Sequence, residues 1–305
     1  MELIIETEAL SKQYGDTIVV DKVRLHVPRG KIYALLGRNG AGKTTLMKML
    51  LRLVRSTGGR IRLFGEDCGK PVRNIDQRIG SIIETPGFYD NLTAYENLGI
   101  LMRLRGLENP KKIRETLEIV GLQDESKKPF SDYSLGMKQR LGIAAAMMHE
   151  PELLILDEPI NGLDPIGISE IRALLASLSR DRGVTILISS HVLSEIEQIA
   201  DVIGVMHKGR LIEEVNMEEI RQRRRKYLEF EVADPVKALE ILGTTFGIND
   251  CRASGGILKI YDSAYPSGSL NKVLVENGLW VSKVNENQEN LEDYFSVLIG
   301  GGGIA

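Results

Sequence analysis

Hydrophobic and polar positions along the chain follow two rhythms. Val23, Leu25 and Val27 alternate with Arg24 and His26, a period of two that predicts one half-buried strand. Pro28, Arg29 and Gly30 then supply a turn. Ile32-Tyr33-Ala34-Leu35-Leu36 is different: it is unbroken by polar residues and suits a strand covered on both faces. Leu153-Leu154-Ile155-Leu156 and residues 184–188 repeat that pattern. Between them Ile168, Ile171, Leu174, Leu175 and Leu178 fall at helical spacing. Buried strands separated by amphipathic helices predict a parallel α/β sheet.

Residues 92–131 read as helical. Thr93 and Glu96 stand in the capping-box relation, in which each side chain satisfies a free backbone amide. Leu98, Leu101 and Met102 follow on one face, then Ile113, Leu117 and Val120 after Pro110. The segment predicts a helical insert between two halves of a sheet domain. Composition shifts near residues 216–226, where the basic run 221–226 reads as a solvated helix face or linker. From about residue 218 the pattern predicts a small α+β domain. Its strands lie at 228–232 and 257–261, and its helices near 235–242, 267–276 and 288–298. Trp280 is expected in its core, and the glycines at 300–303 are expected to be disordered.

Composition narrows the function classes. At 43% hydrophobic, 305 residues can bury a large core. The formal net charge of -3 argues against a nucleic-acid partner, which a basic surface would favour. Cys68 and Cys251 are far apart and read as free thiols in a reducing cytoplasm. The start of the chain lacks the basic and apolar regions of a signal peptide. No apolar run reaches the roughly 18–20 residues of a membrane helix, so any transport role requires a membrane partner.

The chemistry concentrates at the ends of the buried strands. Gly37-Arg38-Asn39-Gly40-Ala41-Gly42-Lys43-Thr44, followed by Thr45, fits a phosphate loop between a strand and a helix. Its glycines let backbone N–H groups turn toward phosphate oxygens, and the helix N-terminus adds its dipole. Lys43 would meet the β- and γ-phosphates of ATP, and Thr44 would offer a hydroxyl to Mg²⁺. Asp157, after the second buried run, is placed to hold Mg²⁺. Glu158, one residue on, would accept the proton of the attacking water. His191 follows the third run and would sense the γ-phosphate.

A narrower signal is Tyr133-Ser134-Leu135-Gly136-Met137-Lys138-Gln139-Arg140, which resembles the signature of the ABC ATPases, usually Leu-Ser-Gly-Gly-Gln. Ser134 fits as N-cap of a helix over 135–148. In the family that helix end, with Gly136, caps the γ-phosphate bound to the other protomer. Asn161-Gly162-Leu163-Asp164 resembles the D-loop, and Tyr14 stands where the family places an adenine-stacking aromatic. Leu135 and Met137 replace the signature's first paired glycine and its glutamine, and Glu84 replaces the glutamine expected to reach Mg²⁺ and the membrane subunit. Glu84-Thr85-Pro86-Gly87-Phe88-Tyr89 is similar to the bacitracin-resistance and lantibiotic-immunity branch of bacterial ABC exporters.

The resemblance implies a P-loop NTPase fold: a RecA-like core, an antiparallel β subdomain and a helical subdomain at about 92–145, all within residues 1–217. Residues 218–305 would form the accessory α+β domain. It also implies a homodimer that drives separate transmembrane permease subunits. The cassette would be cytoplasmic, on the inner face of the cell membrane, with only indirect membrane contact. Other exporter substrates, or a ribosome- or DNA-acting ABC ATPase, are the competing readings; a small-molecule kinase would leave the signature unexplained. Lys43→Ala is expected to reduce ATP turnover to background in a phosphate-release assay; undiminished hydrolysis would remove the loop from the mechanism.

Overall fold

The computed structural model describes residues 2–69, 75–84, 87–107, 109–125, 127–261, 264–289 and 291. They form two compact units that divide between Glu218 and Glu219. The first contains β1 (Leu3–Tyr14), β2 (Thr17–Val23), β3 (His26–Pro28), β4 (Ile32–Leu36), α1 (Lys43–Leu50), β5 (Gly58–Leu63), β6 (Glu66–Asp67) and β7 (Ile79–Ile82). It continues through α2 (Ala94–Leu104), α3 (Pro110–Ile119), α4 (Leu135–Met147), β8 (Leu153–Leu156), α5 (Pro165–Arg182) and β9 (Thr185–Ser190). The short α6 (Leu193–Ile196), β10 (Val202–His207) and β11 (Arg210–Asn216) complete it, and α7 (Met217–Arg223) leads onward.

The central sheet has the order β11-β10-β4-β9-β8-β7, parallel throughout except for β11 at one edge. Every residue of β4, β8 and β9 is buried, the physical reason their sequences lack alternation. A second, antiparallel sheet runs β2-β1-β5-β6, with β3 also paired to β1.

The strand expected through Val27 is broken. β2 ends at Val23 and β3 begins at His26, although Val23, Leu25 and Val27 are all buried. Buried Thr7 makes the break possible: its hydroxyl donates to the Val23 carbonyl at 3.0 Å and accepts from the Leu25 amide at 2.8 Å. Alternating burial thus survives where the ladder does not.

The helical insert begins as its sequence predicts. Thr93 Oγ1 accepts from the Glu96 amide at 3.2 Å, and Glu96 Oε2 accepts from the Thr93 amide at 2.8 Å. Its last helix, α4, lies directly on edge strand β7. A Cβ at Gly80 would come within 1.9 Å of the Ala146 carbonyl oxygen, so only glycine allows the approach.

The second unit comprises β12 (Lys226–Val232), α8 (Pro235–Phe246), β13 (Cys251–Ser254), β14 (Ile257–Ile260), α9 (Ser267–Glu276) and β15 (Val281–Gln288). Its antiparallel sheet has the order β13-β14-β12-β15, the split βαββαβ arrangement. Phe230, Leu258 and Ile260 from the strands meet Leu242, Leu270 and Leu274 from the helices. Two features depart from expectation. Trp280 is 77% exposed, in the turn before β15, where its carbonyl accepts from the Ala233 amide. Residues 281–288, partly read as the start of a helix at 288, form a strand. The rest of that expected helix, apart from Glu289 and Leu291, lies outside the described residues, as do the glycines at 300–303 and Thr85 and Pro86.

Glu152, just before β8, ties three segments of the first unit. Its Oε1 accepts from Arg78 at 2.6 Å and its Oε2 from Arg29 at 2.7 Å. The bond from Arg78, then that from Arg29, hold its carboxyl down from 4.5 to about 2. A depressed carboxyl stabilises the fold fully above its unfolded pKa, and that contribution is lost as pH falls from about 4.5 toward about 2. Glu152 is 41% exposed, so solvent screening keeps the effect small. Glu152→Gln is expected to lower Tm by no more than ~3 °C at neutral pH, with the difference vanishing near pH 2 in calorimetry.

Candidate functional site

The loop from β4 to α1 is built around close backbone contacts. Gly42, the N-cap of α1, has φ 102, and a Cβ there would stand 2.7 Å from the Val19 carbonyl oxygen. No side chain caps α1 and no acidic residue occupies its first turn, so its free N–H groups are left for an anion. Lys43 is only 5% exposed. Its Nζ donates to the Gly37 carbonyl at 2.6 Å and lies 3.1 Å from Glu158 Oε1. Arg38, Asn39, Gly40, Ala41, Thr44 and Thr45 help line the same cavity of about 260 Å³. That volume accommodates phosphate groups.

The ends of β8 and β9 complete the site. Asp157, largely buried, accepts from Thr44 Oγ1 at 2.7 Å through Oδ2 and from Ser189 Oγ at 2.5 Å through Oδ1. Glu158 has φ 48, in the left-handed region, and its amide donates to Ser189 Oγ at 2.8 Å. Its Oε2 lies 2.8 Å from His191 Nδ1. An ionised carboxylate only accepts, so the proton of this bond belongs to Nδ1. The structure brings Lys43, Thr44, Asp157, Glu158 and His191 together at one edge of the sheet. Ser189 was not anticipated; its signal is the polar pair Ser189-Ser190 closing the apolar run of β9 on the edge where the sheet places its chemistry.

The remaining candidates stand elsewhere. Glu84 has φ 66, and among the described residues its hydrogen-bond partner is Lys48 of α1, at 2.7 Å, not Thr44 or Asp157. The bond from Lys48 lowers the Glu84 carboxyl pKa, and the bond to Glu84 raises that of Lys48. Tyr14 ends β1 half exposed, with Lys12 Nζ 4.6 Å from its ring centroid. Ser134 caps α4, accepting from the Met137 amide at 3.3 Å, and Asp164 caps α5, accepting from the Gly167 amide at 3.0 Å. Ser134, Gly136 and Asp164 share a second cavity of about 410 Å³ with Leu135 and Met137. This cavity and the phosphate-loop cavity have no lining residue in common.

Known proteins resemble this chain in sequence and fold. The protein-family model described as ABC transporter matches residues 20–161. The bacitracin transport ATP-binding protein BcrA of Enterococcus faecalis is 61% identical over 305 residues, covering 100% of this chain and 99% of that protein. The chain belongs to the ABC transporter family. It is an ATP-binding subunit of that family, and such cassettes are ATPases coupled to transport. The lantibiotic transport ATP-binding protein SrtF of Streptococcus pyogenes is 46% identical over 209 residues, 68% of this chain and 89% of that protein. A solved ATP-binding subunit of an ABC transporter superposes with a TM-score of 0.63 at 31% identity, covering 72% of this chain and 92% of that one.

Within the cassette, Gly42 offers a direct test of the loop. Gly42→Ala adds a methyl against the Val19 carbonyl at a left-handed position. Overpacking of ~1–3 kcal/mol corresponds to roughly 5- to 150-fold weaker nucleotide binding in fluorescence titration. Unchanged affinity would show that the loop geometry does not govern binding.

Proposed function

We propose that this chain hydrolyses ATP to drive separate membrane subunits that export peptide antibiotics of the bacitracin type. The observation that carries the reading is the full-length 61% identity to a bacitracin transport ATP-binding protein, joined to a complete set of phosphate-loop residues. Among the described residues no helix is long and apolar enough to cross a membrane. The work would thus be delivered to membrane partners at the inner face of the cell membrane.

Lys43 holds the β- and γ-phosphates, exchanging its bond to the Gly37 carbonyl for phosphate oxygens. Glu158, flanked by Lys43 and His191, takes the proton of the attacking water. His191 donates a hydrogen bond from Nδ1 to Glu158, and its Nε2, when it also carries a proton, would donate to the γ-phosphate. Thr44 and Asp157 present hard oxygen donors side by side, the set that suits Mg²⁺ shared with a nucleotide's phosphates. When bound there, Mg²⁺ would neutralise charge developing on the transferred phosphoryl group. Tyr14 stacks on adenine, and Glu84, once released by Lys48, turns toward the nucleotide.

The separate cavity at Ser134, Gly136 and Asp164 supports assembly in pairs. Each copy would bring a phosphate loop to one nucleotide and a signature helix to the other. Glu158→Gln, which removes the base, is expected to run as a dimer in gel filtration with Mg-ATP and as a monomer without it. Placed in the source organism, the same variant should reduce bacitracin tolerance. A variant that stays monomeric at saturating Mg-ATP would overturn the paired arrangement, and unchanged tolerance would overturn the substrate class.

A further inference from the structure

Ser189 has no role in the reading above, yet it touches the carboxylate of Asp157 and the backbone amide of Glu158, the two acids on which that reading rests. It is fully buried, one residue before the end of β9. Parallel pairing sets Leu156 opposite Ile188, so the next step along each strand brings Asp157 beside Ser189. The Ser189 hydroxyl donates to Asp157 Oδ1 at 2.5 Å and accepts from the Glu158 amide at 2.8 Å. One hydroxyl can do both at once, since it carries one proton and two lone pairs.

The second bond has the larger consequence. Glu158 bears a side chain yet sits at φ 48, a conformation unfavourable for any residue but glycine. Among the described residues, Ser189 Oγ is the acceptor of its amide. Left-handed geometry at Glu158 accompanies the placing of its carboxylate between Lys43 Nζ, at 3.1 Å, and His191 Nδ1, at 2.8 Å. Its neighbour Ser190 has a different task. The Ser190 carbonyl accepts from the Gly37 amide at 3.3 Å, and its hydroxyl accepts from the Val192 amide at 3.0 Å.

We propose that Ser189 is the positioning residue of this ATPase, fixing the Asp157 carboxylate and the left-handed backbone of Glu158 through one buried hydroxyl. The inference rests on the reading of Glu158 as base. It acts through the two acids and touches no substrate. Its hydroxyl bonds Asp157 and Glu158 and not the phosphate loop or Lys43 directly, so ground-state nucleotide binding and turnover should separate.

The test uses the full-length chain and three variants. Ser189→Ala is expected to bind nucleotide without Mg²⁺ within about 3-fold of wild type, while kcat falls roughly 10- to 100-fold. Hydrogen exchange supplies a readout independent of turnover: the Glu158 amide, protected in wild type, should lose its protection in Ser189→Ala. Where alanine prevents folding, Ser189→Thr and Ser189→Val give a nearly isosteric pair, of which only threonine keeps the hydroxyl and should keep kcat. Equal kcat for threonine and valine, or for alanine and wild type, overturns the proposal. So does unchanged exchange at Glu158, or nucleotide affinity falling in step with kcat. A wild-type chain that turns over no ATP, with the Glu158 amide still responding to Ser189→Ala, would instead overturn the functional reading alone.

Discussion

Parallel hydrogen bonding of β4, β9 and β8 fixes the positions of nearly every group discussed above. Because the three strands run in the same direction and in register, Leu36 pairs with Ser190 and Leu156 with Ile188. Their next residues open the phosphate loop, the pair of acids and the turn carrying His191. A slip of one residue would turn every side chain of a strand to the opposite face and carry its polar end residues out of line with those of its neighbours. The register that protects the core therefore also sets the spacing of the chemistry. Side chains more than 100 residues apart in sequence, such as Thr44 and Asp157, meet at 2.7 Å for that reason.

The same edge concentrates charge where water is scarce. A buried ammonium such as Lys43 is tolerable only with close polar partners, here the Gly37 carbonyl and the Glu158 carboxylate. Asp157 is likewise held from both oxygens by hydroxyl donors. Neutral hydroxyls, rather than further cations, satisfy this acid. Lys43 is thus the buried cation of the loop, where phosphates would need it.

What the sequence revealed follows from which residues carry a directional signal. β4, β8 and β9 were legible because burial on both faces forces unbroken apolar runs. The caps at Thr93 and Ser134 were legible because a short polar side chain before an apolar period has few other uses. β13 and β15 were missed: they are sheet edges, largely exposed, and residues 281–288 are mostly polar with no alternation to read. Trp280 was placed in the core on hydrophobicity alone, but the turn before β15 faces it outward. The pairing of Glu84 with Lys48 joins a strand end to a helix surface, and the linkage through Ser189 joins two strand ends. Both depend on tertiary proximity that no local pattern encodes.

The glycine at position 80 has a mechanical meaning. With no side chain between them, the backbone of β7 rests on the carbonyl of Ala146, and His149 Nε2 lies 3.1 Å from the Ile79 carbonyl just beyond the end of α4. Such a joint has no flexible methylene to absorb displacement, and close-packed interiors transmit strain rather than damp it. β7 runs directly toward Glu84, while α4 begins at Ser134. The strand that leads to Glu84 and the helix that starts beyond Ser134 thus meet in one backbone-on-backbone joint, with no side chain between them.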